Sequence, residues 1–246
     1  MKKLNPISQN LIYITYLAEF TPFFLCLIFY KKFKSAEIKV FFLYITAFTF
    51  FLFLSFYFKF ISINGPSRLL VNRFSLLAEF SFLSYFYYTC ITSKRSKIIF
   101  ILSVIVFFSY SIYDYVITKS GPFSFIPLVM ECLYFLLIIV YFFYDKIQND
   151  LNTSIYFQPV FWISVGFLIY FSGNFFLFLF SRSMINNLEF RFQYTVIYST
   201  VTIIKNIFIC TAIIVNAKNG DQLNSPNKNM DIDLDTAYPF TKNINL

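Results

Sequence analysis

Residues 38–61 read IKVFFLYITAFTFFLFLSFYFKFI, an apolar run in which the only charged residues, Lys39 and Lys59, lie near the two ends. An α-helix rises about 1.5 Å per residue, so about 20 such residues cross the hydrocarbon core of a bilayer. The apolar residues form a continuous run and do not alternate with polar ones, which favours a helix over a strand of a membrane barrel. This stretch therefore predicts a membrane-spanning helix.

Similar runs occupy most of the chain. Apolar residues make up 58% of the 246 residues and charged residues only 13%, whereas a soluble domain has about 25% charged residues. We predict an all-α fold, a polytopic transmembrane bundle of seven helices over residues 1–217, followed by a disordered cytoplasmic tail at 218–246. The fourth helix is the weakest of the seven because it contains Asp114. The predicted helices cover about residues 9–30, 38–61, 70–92, 97–117, 125–145, 159–181 and 192–216.

The basic residues predict how the chain is oriented in the membrane. The net charge is +8, and Lys and Arg concentrate at the ends of the apolar runs. The clusters at 31–39 and 94–97 lie on one predicted side, together with Lys146 and Lys218. Basic loops stay in the cytoplasm, so we expect a multi-pass protein of the inner (cytoplasmic) membrane with its N-terminus outside and its C-terminus in the cytoplasm. This placement also explains the positive charge without a nucleic-acid partner.

The residue types that could carry catalysis are scarce. The chain contains no histidine, which excludes His-ligated haem, the usual His-containing zinc and copper sites, a Ser-His-Asp triad and a phosphoacceptor histidine. Its four cysteines, one in each of four apolar runs, form no Cys-x-x-Cys pair and are predicted to be buried thiols. We therefore expect no catalytic residue, no metal site and no cofactor, and a protein that is not an enzyme.

Ionisable residues inside four predicted helices are the first candidates for a functional site. Glu19, Glu79, Glu131 and Lys205 lie in helices 1, 3, 5 and 7, and each costs about 2.5–3.5 kcal/mol on insertion scales. Each lies roughly 18–23 Å of helix before a basic flank, so all four can share one layer. We predict a polar cavity between the odd-numbered helices, with Lys205 paired to one or more glutamates. The alternative is that the charges pair internally, fix the helix register and bind nothing.

Two asparagines complete the candidate site. Asn206 follows Lys205 in helix 7, and Asn174 lies in helix 6, where it could make an interhelical hydrogen bond or contact a ligand. Gly166 and Gly173, seven residues apart on one face of helix 6, predict a close helix contact. The stripes predicted to face inward are Thr15, Glu19, Pro22 and Cys26 on helix 1, and Tyr198, Thr202, Lys205 and Ile209 on helix 7.

The stretch from Pro159 to Phe176, with PVFWI at its start and GFLIYF and GNFF further along, carries a resemblance to known proteins. Together with Ile204-Lys205-Asn206-Ile207, it resembles uncharacterised seven-helix bacterial membrane proteins associated with sensor histidine kinases. The resemblance implies a signalling-associated membrane module. Since the chain has no kinase of its own, its partner would be a sensor histidine kinase or another cytoplasmic signalling protein.

The functional expectation is therefore a non-enzymatic sensor or signalling component in the lipid bilayer that works through a partner. An alternative is a small-solute or proton-coupled transporter that uses Glu19, Glu79 or Glu131 as its proton or cation site. A mid-membrane lysine in helix 7 also suits a Schiff base with retinal, but no other feature of the opsins is recognisable in the sequence.

Overall fold

The computed structural model describes residues 6–60, 65–91, 93–116, 125–149, 155–184 and 187–224. Within these ranges the chain forms seven α-helices, two single turns of 3₁₀ helix and no strand, so the all-α prediction is confirmed. The helices are α1 (Pro6–Phe29), α2 (Ala36–Phe60), α3 (Gly65–Cys90), α4 (Lys94–Val116), α5 (Ile126–Asn149), α6 (Pro159–Met184) and α7 (Leu188–Asn224).

The last helix is longer than the sequence predicts. It begins at Leu188, after the side chain of Asn187 accepts a hydrogen bond from the backbone N–H of Glu189 at 2.9 Å. It continues to Asn224, past residue 218, where the disordered tail was predicted to start. Residues 225–246, the rest of that predicted tail, lie outside the described residues.

Six of the seven helices are long and apolar enough to cross a membrane. They include α4, the predicted weakest span, whose apolar part ends at Asp114. Judged on its described residues, α3 is the exception, although its 26 residues give it a length of about 39 Å. It carries Arg73 and Glu79 among many Ser and Tyr residues. The apolar helices place the protein in a lipid bilayer.

The helices pack in a ring that follows chain order. Each helix contacts the next along the chain, and α7 closes the ring against α1; α2 also contacts α6, and α3 contacts α5. Apolar side chains such as Leu17, Ile28 and Leu137 point outward and are more than 60% exposed. A soluble protein rarely shows such an apolar surface, whereas lipid tails accommodate it.

Aromatic rings fill the interior of the ring of helices. Phe80 of α3 stacks on Phe107 of α4 with ring centroids 3.6 Å apart, and Phe135 of α5 stacks on Phe171 of α6 at 4.9 Å. Hydroxyl side chains are tolerated because they donate to the carbonyl oxygen one turn earlier, as Thr49 does to Ile45 at 2.8 Å. The cysteines carry free thiols and are buried, except that Cys210 is half-buried.

Candidate functional site

Lys205 lies in the middle of the bundle and is 1% exposed. Its ammonium nitrogen Nζ lies 4.3 Å from the centre of the Tyr170 ring, 5.1 Å from that of Phe48 and 5.7 Å from that of Phe167. Aromatic faces attract cations at these distances, more strongly where water is excluded. Three rings from α2 and α6 therefore enclose the cation that α7 supplies.

The three predicted glutamates all interact with the same lysine. Lys205 interacts electrostatically with Glu79, Glu19 and Glu131, so α1, α3, α5 and α7 each contribute one charge to a common cluster. We call these four residues the charge cluster. Glu19 and Glu131 are buried, while Glu79 is half-buried. One ammonium faces three carboxyl groups, so the cluster has more acidic than basic groups.

A tyrosine that the sequence reasoning did not single out orients one of these carboxyl groups. The Tyr44 hydroxyl of α2 donates a hydrogen bond to Glu79 Oε1 at 3.2 Å. The Tyr44 ring is 2% exposed and lies 5.8 Å from that of Phe167, one of the rings around Lys205. Tyr44 therefore links the carboxyl group of Glu79 to the aromatic enclosure of the lysine.

The two predicted asparagines are both buried, Asn174 at 0% and Asn206 at 5% exposure. Neither Asn174 Oδ1 and Nδ2 nor Asn206 Nδ2 has a hydrogen-bond partner among the described residues, and the same holds for Thr202 Oγ1 and Glu131 Oε1. Buried polar atoms are normally satisfied by protein or by ordered water. The hydrogen-bonding capacity of these atoms is therefore available to water or to a ligand.

The packing of α5 on α6 brings Glu131 and Asn174 to one level of the interior. Phe143 packs on Phe161 at 5.8 Å and Phe135 on Phe171 at 4.9 Å, so the two helices run antiparallel. About one turn beyond the Phe135–Phe171 pair, α5 has Glu131 and α6 has Asn174, both buried. A line of polar atoms thus extends from the charge cluster toward α6.

A cavity of about 350 Å³ opens between α1, α2 and α7. It lies toward the start of α1 and α7 and the end of α2, which the alternating helix directions bring to the same end of the bundle. Glu19 is the lining residue furthest along α1 from its start. The side chains that give it its chemical character are Thr15, Tyr16, Glu19, Phe56, Tyr194 and Tyr198.

Two routes connect this cavity to Lys205. The first is Glu19, which lines the cavity and interacts electrostatically with Lys205. The second is a series of rings: Tyr194 stacks on Tyr198 at 6.1 Å, Tyr198 lies 6.4 Å from Tyr170, and Tyr170 covers the Lys205 ammonium. The sequence signal for the second route is the pair of tyrosines one turn apart at the start of helix 7.

The stripes predicted to face inward are buried along most of their length. On α1, Thr15, Glu19, Pro22 and Cys26 are all buried, and on α7 Thr202, Lys205 and Ile209 are buried while Tyr198 is half-buried. Pro22 has no backbone N–H, so the carbonyl of Ala18 loses its usual partner in the helix. The α1 backbone is therefore weakened beside Glu19.

Both glycines of α6 make the close helix contact that the sequence predicts, and the structure shows that the partner is α7. A Cβ at Gly166 would lie 2.9 Å from Phe208 Cβ and 3.1 Å from the carbonyl oxygen of Lys205. A Cβ at Gly173 would lie 2.6 Å from Val201 Cγ1. The missing side chains let α6 approach the α7 backbone at the lysine itself.

Comparison of this chain with protein-family models, with curated proteins and with solved structures gave no match. The charge cluster and the cavity are therefore the features that bear on its function.

Proposed function

We propose that this protein is a non-enzymatic sensor that crosses the inner membrane of a bacterium seven times, with its N-terminus outside and its C-terminus in the cytoplasm. In this proposal, the cavity between α1, α2 and α7 receives a ligand from the outer side. The helix bundle responds, and a cytoplasmic partner, a sensor histidine kinase or another signalling protein, reads the response.

The observation that carries the proposal is the position of Glu19. Glu19 lines the cavity, and its carboxyl group also interacts electrostatically with the buried Lys205. A ligand that contacts Glu19 changes the electrostatic balance of the whole charge cluster, since Lys205 also interacts with Glu79 and Glu131. Charges inside membrane spans are costly and are retained for function, and here they connect an open cavity with the bundle interior.

The length of α7 supports a signalling role. The helix has 37 residues and is about 55 Å long, whereas the hydrocarbon core is only about 30 Å thick. It lines the cavity with Tyr194 and Tyr198, contributes Lys205 to the charge cluster and continues past Lys218 to Asn224. A displacement at Lys205 therefore has a continuous helix to carry it out of the membrane.

The burial of α3 supports a seventh crossing. Although α3 is less apolar than the other helices, its Phe80, Leu83, Phe86 and Tyr87 are 0% exposed and pack inside the ring. A helix that buries this much of its surface against neighbouring helices needs less apolar surface toward lipid. Its position between α2 and α4 then keeps Glu79 beside Lys205.

Genetic complementation tests the sensor proposal. We expect deletion of the gene to change the phosphorylation or transcriptional output of a signalling system, and the wild-type gene to restore it. The variants Glu19→Gln and Lys205→Met should fail to restore it at equal membrane abundance. Glu37→Gln, the same chemical change at the opposite end of the bundle, should succeed. The proposal is wrong if deletion leaves every signalling output unchanged.

Proton-coupled transport is the second candidate, and the line of unpartnered polar atoms favours it. Asn174, Thr202 and Asn206 extend the polar interior beyond Glu131 of the charge cluster, as a proton or solute path requires. Uptake of a solute into proteoliposomes that depends on a proton gradient and is abolished by Glu79→Gln would establish this function and displace the sensor.

A further inference from the structure

The α1–α2–α7 cavity presents an acidic residue to a ligand. Among the described residues, its lining contains Glu19 and no Lys or Arg. Lys205 is the one cation of the charge cluster. It is 1% exposed and is enclosed by the rings of Phe48, Phe167 and Tyr170. A molecule in the cavity therefore meets the carboxyl group directly and the ammonium group only through the protein, which disfavours an anion.

Two threonine hydroxyl groups of the wall present acceptors. Thr15 Oγ1 donates its hydrogen to the carbonyl of Leu11 at 2.8 Å, and Thr195 Oγ1 donates to that of Arg191 at 2.9 Å. Both threonines line the cavity. Since their hydrogens are used within their own helices, their oxygens can only accept from a ligand. At these two threonines, the complementary group of a ligand is a hydrogen-bond donor.

The aromatic groups of the wall match a cation as well. Tyr16, Phe56, Tyr194 and Tyr198 line the cavity, and aromatic faces attract ammonium groups. The protein already holds one ammonium in this way, because Lys205 lies among three rings with carboxyl groups nearby. The cavity repeats that combination of rings and a carboxyl group at a position that a ligand can reach.

We propose that this cavity binds a small organic cation, a monovalent amine with an apolar body, whose ammonium group contacts Glu19. The volume of about 350 Å³ suits a small molecule, and Ile12 and Leu52 offer apolar wall to its body. The inference names the ligand class of the cavity in the proposed sensor, and its physiological role rests on that proposed function.

Binding of such a cation has a defined consequence inside the bundle. The ligand ammonium competes with Lys205 for the carboxyl group of Glu19, and Lys205 then interacts mainly with Glu79 and Glu131. The lysine lies on α7, against which Gly166 of α6 packs closely. A shift in the position of Lys205 is therefore a shift of α7 relative to α6.

Three probes that share a phenyl ring test the charge preference: phenethylamine, phenethyl alcohol and phenylacetate. The purified protein in lipid nanodiscs is titrated with each, and binding is followed by thermal stability and calorimetry. We expect phenethylamine to raise the melting temperature of the wild type and of Glu37→Gln, and the alcohol and the acid to have little effect. Glu19→Gln removes a charge-assisted hydrogen bond to the ligand. The affinity of this variant for phenethylamine should therefore fall by about tenfold or more.

A second variant keeps the test decisive if Glu19→Gln does not fold. Tyr194→Leu retains the carboxyl group and removes one aromatic wall, and it should weaken phenethylamine binding by about threefold or more through loss of a cation–π contact. Tyr194→Leu should also weaken the binding of choline, a quaternary cation.

The two proposals fail in different ways. The ligand class is wrong if the alcohol or the acid binds more tightly than the amine, if phenethylamine does not bind, or if a folded Glu19→Gln binds phenethylamine as the wild type does. In those cases the sensor proposal is still decided by complementation. If the amine binds as expected while deletion alters no signalling output, the ligand class holds and the sensor proposal fails. Accumulation of labelled phenethylamine in proteoliposomes would then assign the cavity to transport.

Discussion

Lys205 is surrounded by both kinds of group that attract a cation, aromatic rings and carboxyl groups. A buried charge that loses its partner destabilises a protein by about 3–5 kcal/mol. We therefore expect Lys205→Met to lower the free energy of unfolding by an amount of this order, because Glu79 and its neighbours lose their only nearby cation among the described residues. Equilibrium unfolding of the purified protein in mixed micelles measures the effect.

A double-mutant cycle separates the charge interaction from the change in packing at Lys205. Adding Glu79→Gln to Lys205→Met should recover part of the lost stability, with a coupling energy of about 0.5–3 kcal/mol. Lys218→Met, at an exposed position near the end of the same helix, should change stability by no more than about 0.5 kcal/mol. A coupling energy of zero would mean that Lys205 and Glu79 do not stabilise each other.

The substitution Asn174→Leu tests whether Asn174 serves the stability or the function of the protein. Its amide is 0% exposed, and neither polar atom has a partner among the described residues, so Leu, which is similar in size, removes a costly buried polar group. We expect Asn174→Leu to keep or raise the melting temperature and to lower signalling output or solute uptake. A matched loss of stability and activity would instead identify Asn174 as a packing residue.

The contact between α6 and α7 determines where Lys205 lies, and the two glycines test it at the scale of the helix pair. The Cβ introduced by Gly166→Ala meets Phe208 Cβ and the Lys205 carbonyl oxygen. Both atoms remain when Phe208 is also changed to Ala, so the helices have to separate. We expect a loss of about 1–3 kcal/mol of stability, measured by the same unfolding assay, with no rescue in the Gly166→Ala/Phe208→Ala double variant.

Gly173→Ala provides the matched comparison about two turns further along the same face of α6. Its added Cβ meets Val201 Cγ1, which is an atom of a removable side chain. Val201→Ala should therefore restore most of the stability that Gly173→Ala loses. If both double variants were rescued equally, the close approach of α6 to the backbone at Lys205 would not hold.

The helices and their buried faces are the parts of the fold that the sequence predicts well. Long apolar runs and the spacing of Thr15, Glu19, Pro22 and Cys26 depend on residues within one helix, so they can be read from one segment. The hydrogen bond from Tyr44 to Glu79 and the cavity between α1, α2 and α7 depend on how separate helices rotate and align. No local pattern encodes that alignment, and among so many tyrosines and phenylalanines the few that line the cavity do not stand out.

At the scale of the whole molecule, α7 combines three levels of the structure. Its start lines the cavity, its middle provides Lys205 and its end extends to Asn224. The sequence predicts that a tail begins at residue 218, whereas the helix continues to Asn224. The polar composition after residue 218 gives no sign of this continuation. In a sensor of this design, the partner should contact the α7 end, and the orientation of the bundle decides whether that end is in the cytoplasm.

The path of α3 decides the topology. Judged on the described residues, α3 is the one helix that is not apolar enough over a sufficient length to cross a membrane by itself. If α3 crosses, Ser35 before α2 and Ser93 before α4 lie on the same side of the membrane, opposite Asn187 before α7.

Single cysteines at these three positions, in a background in which all four native cysteines are alanine, test this topology. A maleimide that cannot enter the cell should label Asn187→Cys in intact cells, and label Ser35→Cys and Ser93→Cys only after permeabilisation. Labelling of Ser93→Cys but not Ser35→Cys in intact cells would mean that α3 does not cross. Labelling of both, with Asn187→Cys protected, would place the end of α7 outside and rule out a cytoplasmic partner there.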